Sequence, residues 1–199
     1  TGVFLLLQVC VYAQTPKDST KPAMTFAGSL GFTNNGFSII PTFSFNSPAA
    51  IALLSWRKNK FSIDPDIRIT PNGKRGSILL WFRYYPIQGK KFALRVGAHP
   101  AMNWMPTQIT NNGVSAEVVK LRRFLAWELS PGYRINQHWS VGIYYLQGNG
   151  MQKDGPQTTH FINLNTTISN VRISKNMTFA VTPAFFYLKL DDTDGKYFT

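Results

Sequence analysis

Charged residues are scarce in this sequence, and acidic residues are the scarcest. The 199 residues include 9 Asp and Glu against 21 Lys and Arg, so charged residues make up 15% of the chain and the net charge is +12. Soluble domains contain roughly 25% charged residues. A soluble β-sandwich of this length would normally carry more charge on its wet faces, so the composition argues against that class.

Cysteine and histidine are also rare. The single cysteine, Cys10, cannot form an intramolecular disulfide. The three histidines, His99, His138 and His160, are isolated in the sequence, and their spacing does not suggest a metal site. We therefore expect neither a metal nor a cofactor.

The apolar run at residues 3–13 is too short for a transmembrane helix, which needs about 20 residues. It is typical of the apolar core and cleavage site of a secretory signal, with Val11 at −3, Ala13 at −1 and Gln14 as the first mature residue. We expect residues 1–13 to be a partial signal peptide and 14–23 a polar linker. Residues 24–199 would then form one folded domain that is incomplete at its C-terminus.

The positive charge does not indicate nucleic-acid binding. Many basic residues lie in short turn-like segments at 57–60, 74–75 and 90–91, without interleaved aromatics or a nucleic-acid-binding motif. We expect no nucleic-acid partner. Turns that face the phosphates of anionic lipids explain the charge more simply.

Residues 61–85 contain the clearest structural pattern. In residues 61–70, apolar side chains alternate with polar ones, which include Asp64, Asp66 and Arg68. A period of two predicts a β-strand whose faces meet different environments. A turn-forming segment follows at 71–76, and 77–85 alternates again. Each strand is about ten residues long, close to the ~9–11 that cross a bilayer at a tilt.

Similar segments recur along the chain. They are residues 24–33, 37–46, 49–56, 92–99, 117–130, 139–146, 160–169 and 177–189. In 37–46, Phe37, Ile39, Phe43 and Phe45 would face outward. Residues 49–56 alternate poorly, and Ser47-Pro48 could begin a helix, but the neighbouring strands favour a strand. The fold class predicted is all-β: an antiparallel up-and-down transmembrane β-barrel, with about ten strands visible and twelve in the full-length protein.

Two features conflict with this prediction. Pro41, Pro65 and Pro183 fall in the middle of predicted strands, where proline removes a ladder hydrogen bond. The longer connections, predicted at 100–116 and 147–157, follow even-numbered strands. Barrels of this class have short periplasmic and longer outer connections, so with a periplasmic N-terminus the two loops lie on the wrong side. The side would be correct if 49–56 did not span.

The Ala13-Gln14 cleavage site, the alternating strands and their Tyr- and Trp-rich ends resemble Gram-negative outer-membrane β-barrels, including small porin-like proteins. The resemblance covers residues 1–199 as a pattern. It implies a location in the cell outer membrane and contact with outer-membrane lipid and lipopolysaccharide. It also implies that a closing strand follows Thr199.

The expected function is that of a small passive pore or a structural envelope protein, without enzymatic activity. The lumen-facing candidates are Asp64, Asp66, Arg68, Arg83, Arg95, Arg122 and Glu128. In an open barrel these residues would set ion preference, with small anionic solutes favoured. In a filled barrel they would pair with one another, and nothing would be conducted.

Two alternatives remain open. The spacing of His138 and Ser140 could place an imidazole beside a hydroxyl and is similar to that in outer-membrane phospholipases and lipid A deacylases, which implies a lipid hydrolase. No partner carboxylate or amide is identifiable, however, so a turn followed by an ordinary strand is favoured. The second alternative is a secreted soluble β-sandwich or a lipocalin-like binding protein.

Overall fold

A computed structural model describes residues 9–12, 24–36, 38, 40–111, 113–174 and 177–199, without the side chains of 9–12, 170–173 and 177. Most of these residues lie in β-strands. The only helical element among them is a 3-10 turn at Pro41–Phe43. Within the same ranges, no helix is long and apolar enough to cross a membrane.

The strands follow one another with few interruptions. They are β1 (Val9–Tyr12), β2 (Thr25–Thr33), β3 (Ala49–Lys58), β4 (Phe61–Ile69), β5 (Gly76–Gln88), β6 (Phe92–Asn111), β7 (Val114–Arg134), β8 (Trp139–Gly150), β9 (Thr158–Ser174), β10 (Met177–Val181), β11 (Ala184–Leu190) and β12 (Thr193–Phe198).

All of the strands belong to one antiparallel, up-and-down sheet. From β1 to β9 each strand pairs with the next, and the order continues through β11 to β12, while β10 pairs with β9 beside β11. The predicted all-β antiparallel class is therefore confirmed. β1 and β12 are the two edges, and no pair between the described residues closes the sheet into a barrel.

The sheet is strongly curved. A cavity of about 450 Å³ on one face is lined by side chains from every strand between β3 and β9. In a flat sheet, six strand spacings of ~4.8 Å would separate β3 from β9 by roughly 29 Å. Residues so far apart can line one small cavity only if the sheet bends around it. We call the concave side the inner face and the convex side the outer face.

The prediction of a strand at 37–46 is wrong for the described residues of this range. The partner of β2 is β3, and the connection between them turns inward through the 3-10 turn at Pro41–Phe43. Proline suits the first residue of such a turn, since its missing N–H has no partner to lose there. Phe43 and Phe45 are buried, at 8% and 0% exposure, instead of facing outward. Residues 37 and 39 lie outside the described ranges.

The uncertain segment 49–56 is a strand, as favoured, and belongs to β3. The prediction of a long loop at 100–116 is wrong. Most of this range lies in β6 and β7, which pair without interruption from Phe92↔Tyr133 to Asn111↔Val114. Gly113, with φ +79°, lies in the turn between them. The loop predicted at 147–157 is shorter than expected and covers 151–157, because β8 continues to Gly150.

The C-terminal part also differs from the prediction. The segment predicted as one strand at 177–189 is divided at Thr182-Pro183 into β10 and β11, so Pro183 interrupts no ladder. A turn at 191–192 follows β11, and a further strand, β12, which the sequence did not predict, comes after it. Pro65 remains inside β4.

Part of the predicted signal peptide is described. Val9–Tyr12 forms β1 and pairs with β2 through Val9↔Leu30 and Tyr12↔Ala27. The remainder of residues 1–13, and the linker at 14–23, lie outside the described ranges. Removal of this segment by cleavage stays a prediction.

Candidate functional site

The two faces of the sheet differ in chemistry. Over residues 124–129 of β7 the inner-face residues are buried and the outer-face residues between them are exposed. The buried ones are Phe124, Ala126 and Glu128, and the exposed ones are Leu125, Trp127 and Leu129. An alternation in which the apolar side chains are the exposed ones reverses the pattern of a soluble sheet.

Four of the predicted lumen-facing residues form one continuous set of ion pairs, which we call the interior charge chain: Asp64, Arg83, Glu128 and Arg95. Arg83 Nη1 donates to Asp64 Oδ2 at 2.9 Å, and Arg83 Nε donates to Glu128 Oε1 at 2.8 Å. Arg95 Nε lies 2.9 Å from the same Oε1 atom. Two acids and two arginines make the interior charge chain neutral.

A glycine makes this chain possible. Arg83 on β5 is in register with Gly97 on β6, which is in register with Glu128 on β7. A Cβ at position 97 would lie 3.0 Å from Arg83 Cγ and 3.1 Å from Glu128 Cγ. Because Gly97 has no side chain, the side chain of Arg83 crosses over β6 and reaches a carboxylate two strands away.

Hydroxyl groups complete the partners of Asp64. Ser55 Oγ donates to Asp64 Oδ1 at 2.5 Å, and Ser62 Oγ donates to Asp64 Oδ2 at 2.8 Å. Glu128 has 1% of its surface exposed and receives both Arg83 and Arg95. A carboxylate this deeply buried is tolerated only when it is paired. The interior charge chain is therefore a paired structural network on the inner face of the sheet.

The other predicted lumen-facing residues lie outside the interior charge chain. Arg68 donates two hydrogen bonds to Asp66, from Nε at 2.9 Å and from Nη2 at 2.8 Å, so this pair is neutral too. Arg122 lies further along β7, against Gly155 of the 151–157 loop.

The same loop is tied to β7 by an ion pair. Lys120 pairs with Asp154 of the loop. The hydrogen bond that Lys120 donates lowers the pKa of Asp154 below its ordinary value. The contacts of Lys120 and Arg122 thus hold the 151–157 loop close to β7.

His99 is an inner-face residue that the sequence left without a role. It is 3% exposed, and its ring centroid lies 3.9 Å from that of Trp81. On the same tryptophan ring, Arg83 Cζ lies 4.4 Å from the centroid. The alternation of β6 already places His99 on the face of Arg95. Its contact with Trp81, however, depends on a pairing that cannot be read from the sequence.

The connection between β2 and β3 occupies part of the concave side. We call its described residues within 34–48 the inserted segment. Two hydrogen bonds hold this segment, one donated from β6 and one from the turn between β4 and β5. Asn103 Nδ2 donates to Thr42 O at 2.6 Å, and Arg75 Nη1 donates to Phe45 O at 2.8 Å. The ring of Phe43 packs on Phe124 with a centroid distance of 5.3 Å.

Apolar side chains fill further space on the inner face. One buried cluster contains Trp81, Ala126, Leu146, Phe161 and Leu188, and a second contains Phe43, Ala101 and Phe124. Ile40 of the inserted segment packs against both clusters. The cavity of about 450 Å³ lies between the inserted segment and the wall.

The residues of the hydrolase alternative, His138 and Ser140, lie at the start of β8. His138 is exposed in the turn before β8, and Ser140 lies within β8, where its backbone carbonyl accepts a hydrogen bond from Thr166 Oγ1 at 3.1 Å. Among the described residues, no hydrogen bond joins the His138 imidazole to the Ser140 hydroxyl. Within the same part of the chain, no group of His, Cys, Asp or Glu side chains could hold a metal ion.

Comparison of the chain with protein-family models, with curated proteins and with solved structures gave no significant match.

Proposed function

We propose that the chain forms the wall of an outer-membrane β-barrel with a structural role in the envelope, rather than a pore for solutes. The observation that carries this proposal is the inverted alternation of the sheet. Its outer face is apolar and exposed, whereas its charges are paired on the inner face. Contact with lipid is the environment that best accounts for an exposed apolar face of this extent.

The arrangement of the connections supports the same proposal. The connections at 34–48, 70–75, 112–113 and 151–157 follow β2, β4, β6 and β8, so they lie at one end of the sheet. Those at 59–60, 89–91 and 135–138 lie at the opposite end and are short. Because 37–46 is not a strand, the sidedness conflict of the sequence disappears. The long-connection end would face outward and the short turns the periplasm.

A structural role fits the interior better than conduction does. The interior charge chain and the Asp66–Arg68 pair leave no net charge on six of the seven predicted lumen residues. The inserted segment and two apolar clusters occupy much of the concave side and leave the cavity of about 450 Å³ between them. A weak anion preference would require these charges to face water, so we propose no selective passage of anions.

Matched arginine substitutions test the membrane location. Leu125, in the middle of β7, is 54% exposed, and Val114, at the hairpin tip, is 70% exposed. In a soluble protein both Leu125→Arg and Val114→Arg would be tolerated. In a barrel, Leu125→Arg costs about 2–4 kcal/mol near the membrane midplane, and Val114→Arg costs little. The measurement is heat-dependent gel migration after assembly, and equal tolerance of the two variants would contradict the proposal.

Conductance separates a structural barrel from a pore. We expect the full chain in planar bilayers to give no stable channel steps, because the inserted segment and the apolar clusters occupy much of the concave side. Steady conductance with a fixed unit size would instead make the protein a passive pore. Arg83→Glu together with Arg95→Glu would then be expected to shift its ion preference toward cations.

A further inference from the structure

Basic side chains surround a pocket at the end of the sheet that carries the short connections. The pocket has a volume of about 530 Å³, within the range of small-molecule sites. We call it the basic pocket after five of its lining residues: Arg57, Lys90, Lys91, Arg95 and Arg134. Among the described residues that line it, none is acidic. It shares no lining residue with the cavity of about 450 Å³ beside the inserted segment.

The five cations come from three separate parts of the sheet. Arg57 lies near the end of β3, and Lys90 and Lys91 belong to the turn between β5 and β6. Arg95 follows on β6, and Arg134 ends β7. Arg134 comes six residues after Glu128, so alternation along β7 places both on the inner face. Lipid that covers the outer face would therefore not reach this side chain.

Most of this positive charge is not neutralised within the protein. Arg57, Lys90, Lys91 and Arg134 have no ion-pair partner in the part of the chain that the structure describes. Arg95 lies beside Glu128, but 32% of its side chain remains exposed. Both lysines and Arg134 are exposed too, so a ligand can reach them. Like charges held together repel one another, and an anion that binds among them removes the repulsion.

Arg57 is already held in place by uncharged neighbours. Its Nη2 donates to Gln88 Oε1 at 2.8 Å, and its Cζ lies 4.0 Å from the centroid of the Tyr85 ring. Neither contact neutralises the guanidinium charge. A donor that is fixed before the ligand arrives loses less conformational freedom on binding, so these contacts favour an anion at this position.

The arrangement suits phosphate better than carboxylate. A phosphate monoester presents three acceptor oxygens around its phosphorus, whereas a carboxylate presents two in one plane. Cations that approach from three parts of the sheet can each meet a different phosphate oxygen. One such group carries about −1.5 to −2 charges at neutral pH, so two groups are needed to balance the four unpaired cations. Ser140 and Asn165 also line the pocket and offer neutral hydrogen-bonding groups.

We propose that the basic pocket binds a small soluble molecule that carries two or more phosphate groups. Its phosphate oxygens pair with the four unpaired cations, and the side chains of Ser140 and Asn165 hydrogen-bond to the rest of the molecule. The inference goes beyond the structural role proposed above. It does not depend on that role, because binding at this end of the sheet requires neither a membrane nor conduction.

Isothermal titration calorimetry with inorganic pyrophosphate tests the proposal. The full chain is reconstituted in phosphatidylcholine nanodiscs, with empty nanodiscs as the blank, or kept in buffer if it is soluble without lipid. We expect one saturable site that weakens as salt is added. Lys91→Gln with Arg134→Gln should weaken binding about tenfold or more, because charge-assisted hydrogen bonds are lost. Lys74→Gln with Lys153→Gln removes the same charge at the opposite end and should leave binding unchanged.

Other anions test the chemical class. Orthophosphate has a single phosphate group and should bind more weakly than pyrophosphate. Citrate, a multivalent carboxylate, should also bind more weakly. Nanodiscs that contain phosphatidylglycerol separate a soluble phosphate from a lipid headgroup. At physiological salt the pyrophosphate site should persist in them, and its loss would assign the basic pocket to lipid instead.

Three further outcomes would overturn the proposal: no saturable binding above the blank, citrate binding as tight as that of pyrophosphate, or an equal effect of the two double variants. The last would reduce the attraction to the net charge of the protein. Circular dichroism establishes that each variant retains its strands. If Lys91→Gln with Arg134→Gln does not fold, Lys90→Gln with Lys91→Gln, confined to a turn, decides in its place.

Discussion

Arg83 donates from Nε to Glu128 Oε1 at 2.8 Å across an intervening strand, with its side chain passing over Gly97. The two residues are 45 positions apart in the sequence and two strands apart in the sheet. This contact links β5 to β7 directly, while Arg83 also holds Asp64 on β4. The interior charge chain thus ties together four consecutive strands, β4 to β7.

A double-mutant cycle measures this contact. Arg83→Met leaves the buried Glu128 with Arg95 as its one remaining ion-pair partner among the described residues, and we expect a loss of about 3–5 kcal/mol in the free energy of unfolding. Adding Glu128→Leu removes the uncompensated charge, so the double variant should lose less than the two single variants combined. The coupling should be roughly 1–3 kcal/mol by denaturant unfolding.

The matched control for that cycle is Lys74→Met with Glu117→Leu. Lys74 and Glu117 pair at 3.4 Å, and their side chains are 58% and 49% exposed. Exposed pairs contribute about 0–1 kcal/mol. A coupling for Arg83 and Glu128 no larger than this control would show that the interior charge chain does not stabilise the wall.

The role of Gly97 is tested by adding one methyl group. We expect Gly97→Ala to destabilise the fold by about 1–3 kcal/mol, because its Cβ would meet Arg83 Cγ, Glu128 Cγ and a backbone oxygen at 3.0–3.1 Å. Gly132→Ala is the control, since its Cβ would meet only one atom, 3.9 Å away. Neither glycine has a positive φ, so the comparison isolates packing.

The cost of Gly97→Ala should shrink in an Arg83→Ala background, because alanine lacks the Cγ atom that the added methyl group would meet at 3.0 Å. Thermal unfolding of the four proteins supplies the comparison. If Gly97→Ala and Gly132→Ala cost the same, the crossing of Arg83 over Gly97 does not govern this position.

The turn at Asp191 makes a prediction about pH. Asp191 Oδ1 accepts hydrogen bonds from the backbone N–H of Thr158 at 2.7 Å and of Gln157 at 2.9 Å. These bonds, led by the one from Thr158, lower the pKa of Asp191 below its ordinary 3.8. A lowered folded-state pKa means that the stabilisation is complete above the unfolded pKa and is lost as pH falls through the folded value.

We therefore expect wild-type stability to fall more steeply than that of Asp191→Asn below about pH 4. The asparagine keeps an acceptor and suits the positive φ of +51° at this position, but it carries no charge. Unfolding midpoints measured from pH 6 to pH 2 give the comparison. Parallel curves for the two proteins would refute a role for the Asp191 charge.

The alternating strands could be predicted from the sequence because each face of the sheet meets one environment along its whole length. Residues 61–69 form a strand with Asp64 and Arg68 on one face, as their period of two indicates. The same logic failed at 37–46. Alternation states which residues share a face, but it does not tell whether apolar residues meet lipid or other side chains. Pro41 was the local signal that the segment was irregular.

The ends of the long strands and the partners within the ion pairs could not be predicted from the sequence, because both depend on how the strands pair. Residues 103–111 are held in β6 by backbone pairing with β7, a contribution that leaves no trace in hydrophobic alternation. Likewise, the pairing of Arg83 with Glu128, and the need for Gly97, follow from the register of three strands. The period of two indicated which residues share a face, but it did not indicate which of them meet.

The most direct test of the account measures whether the outer face contacts lipid or water. Nitroxide spin labels would be placed one at a time at Leu125, Trp127 and Leu129 in a Cys10→Ser background, with Val114 as the reference at the hairpin tip. In reconstituted protein, we predict that oxygen, which concentrates in lipid, collides with the three labels on β7 more often than a water-soluble nickel reagent does. The reverse order is predicted at Val114. Nickel collisions as frequent on β7 as at Val114 would contradict a lipid-facing outer surface.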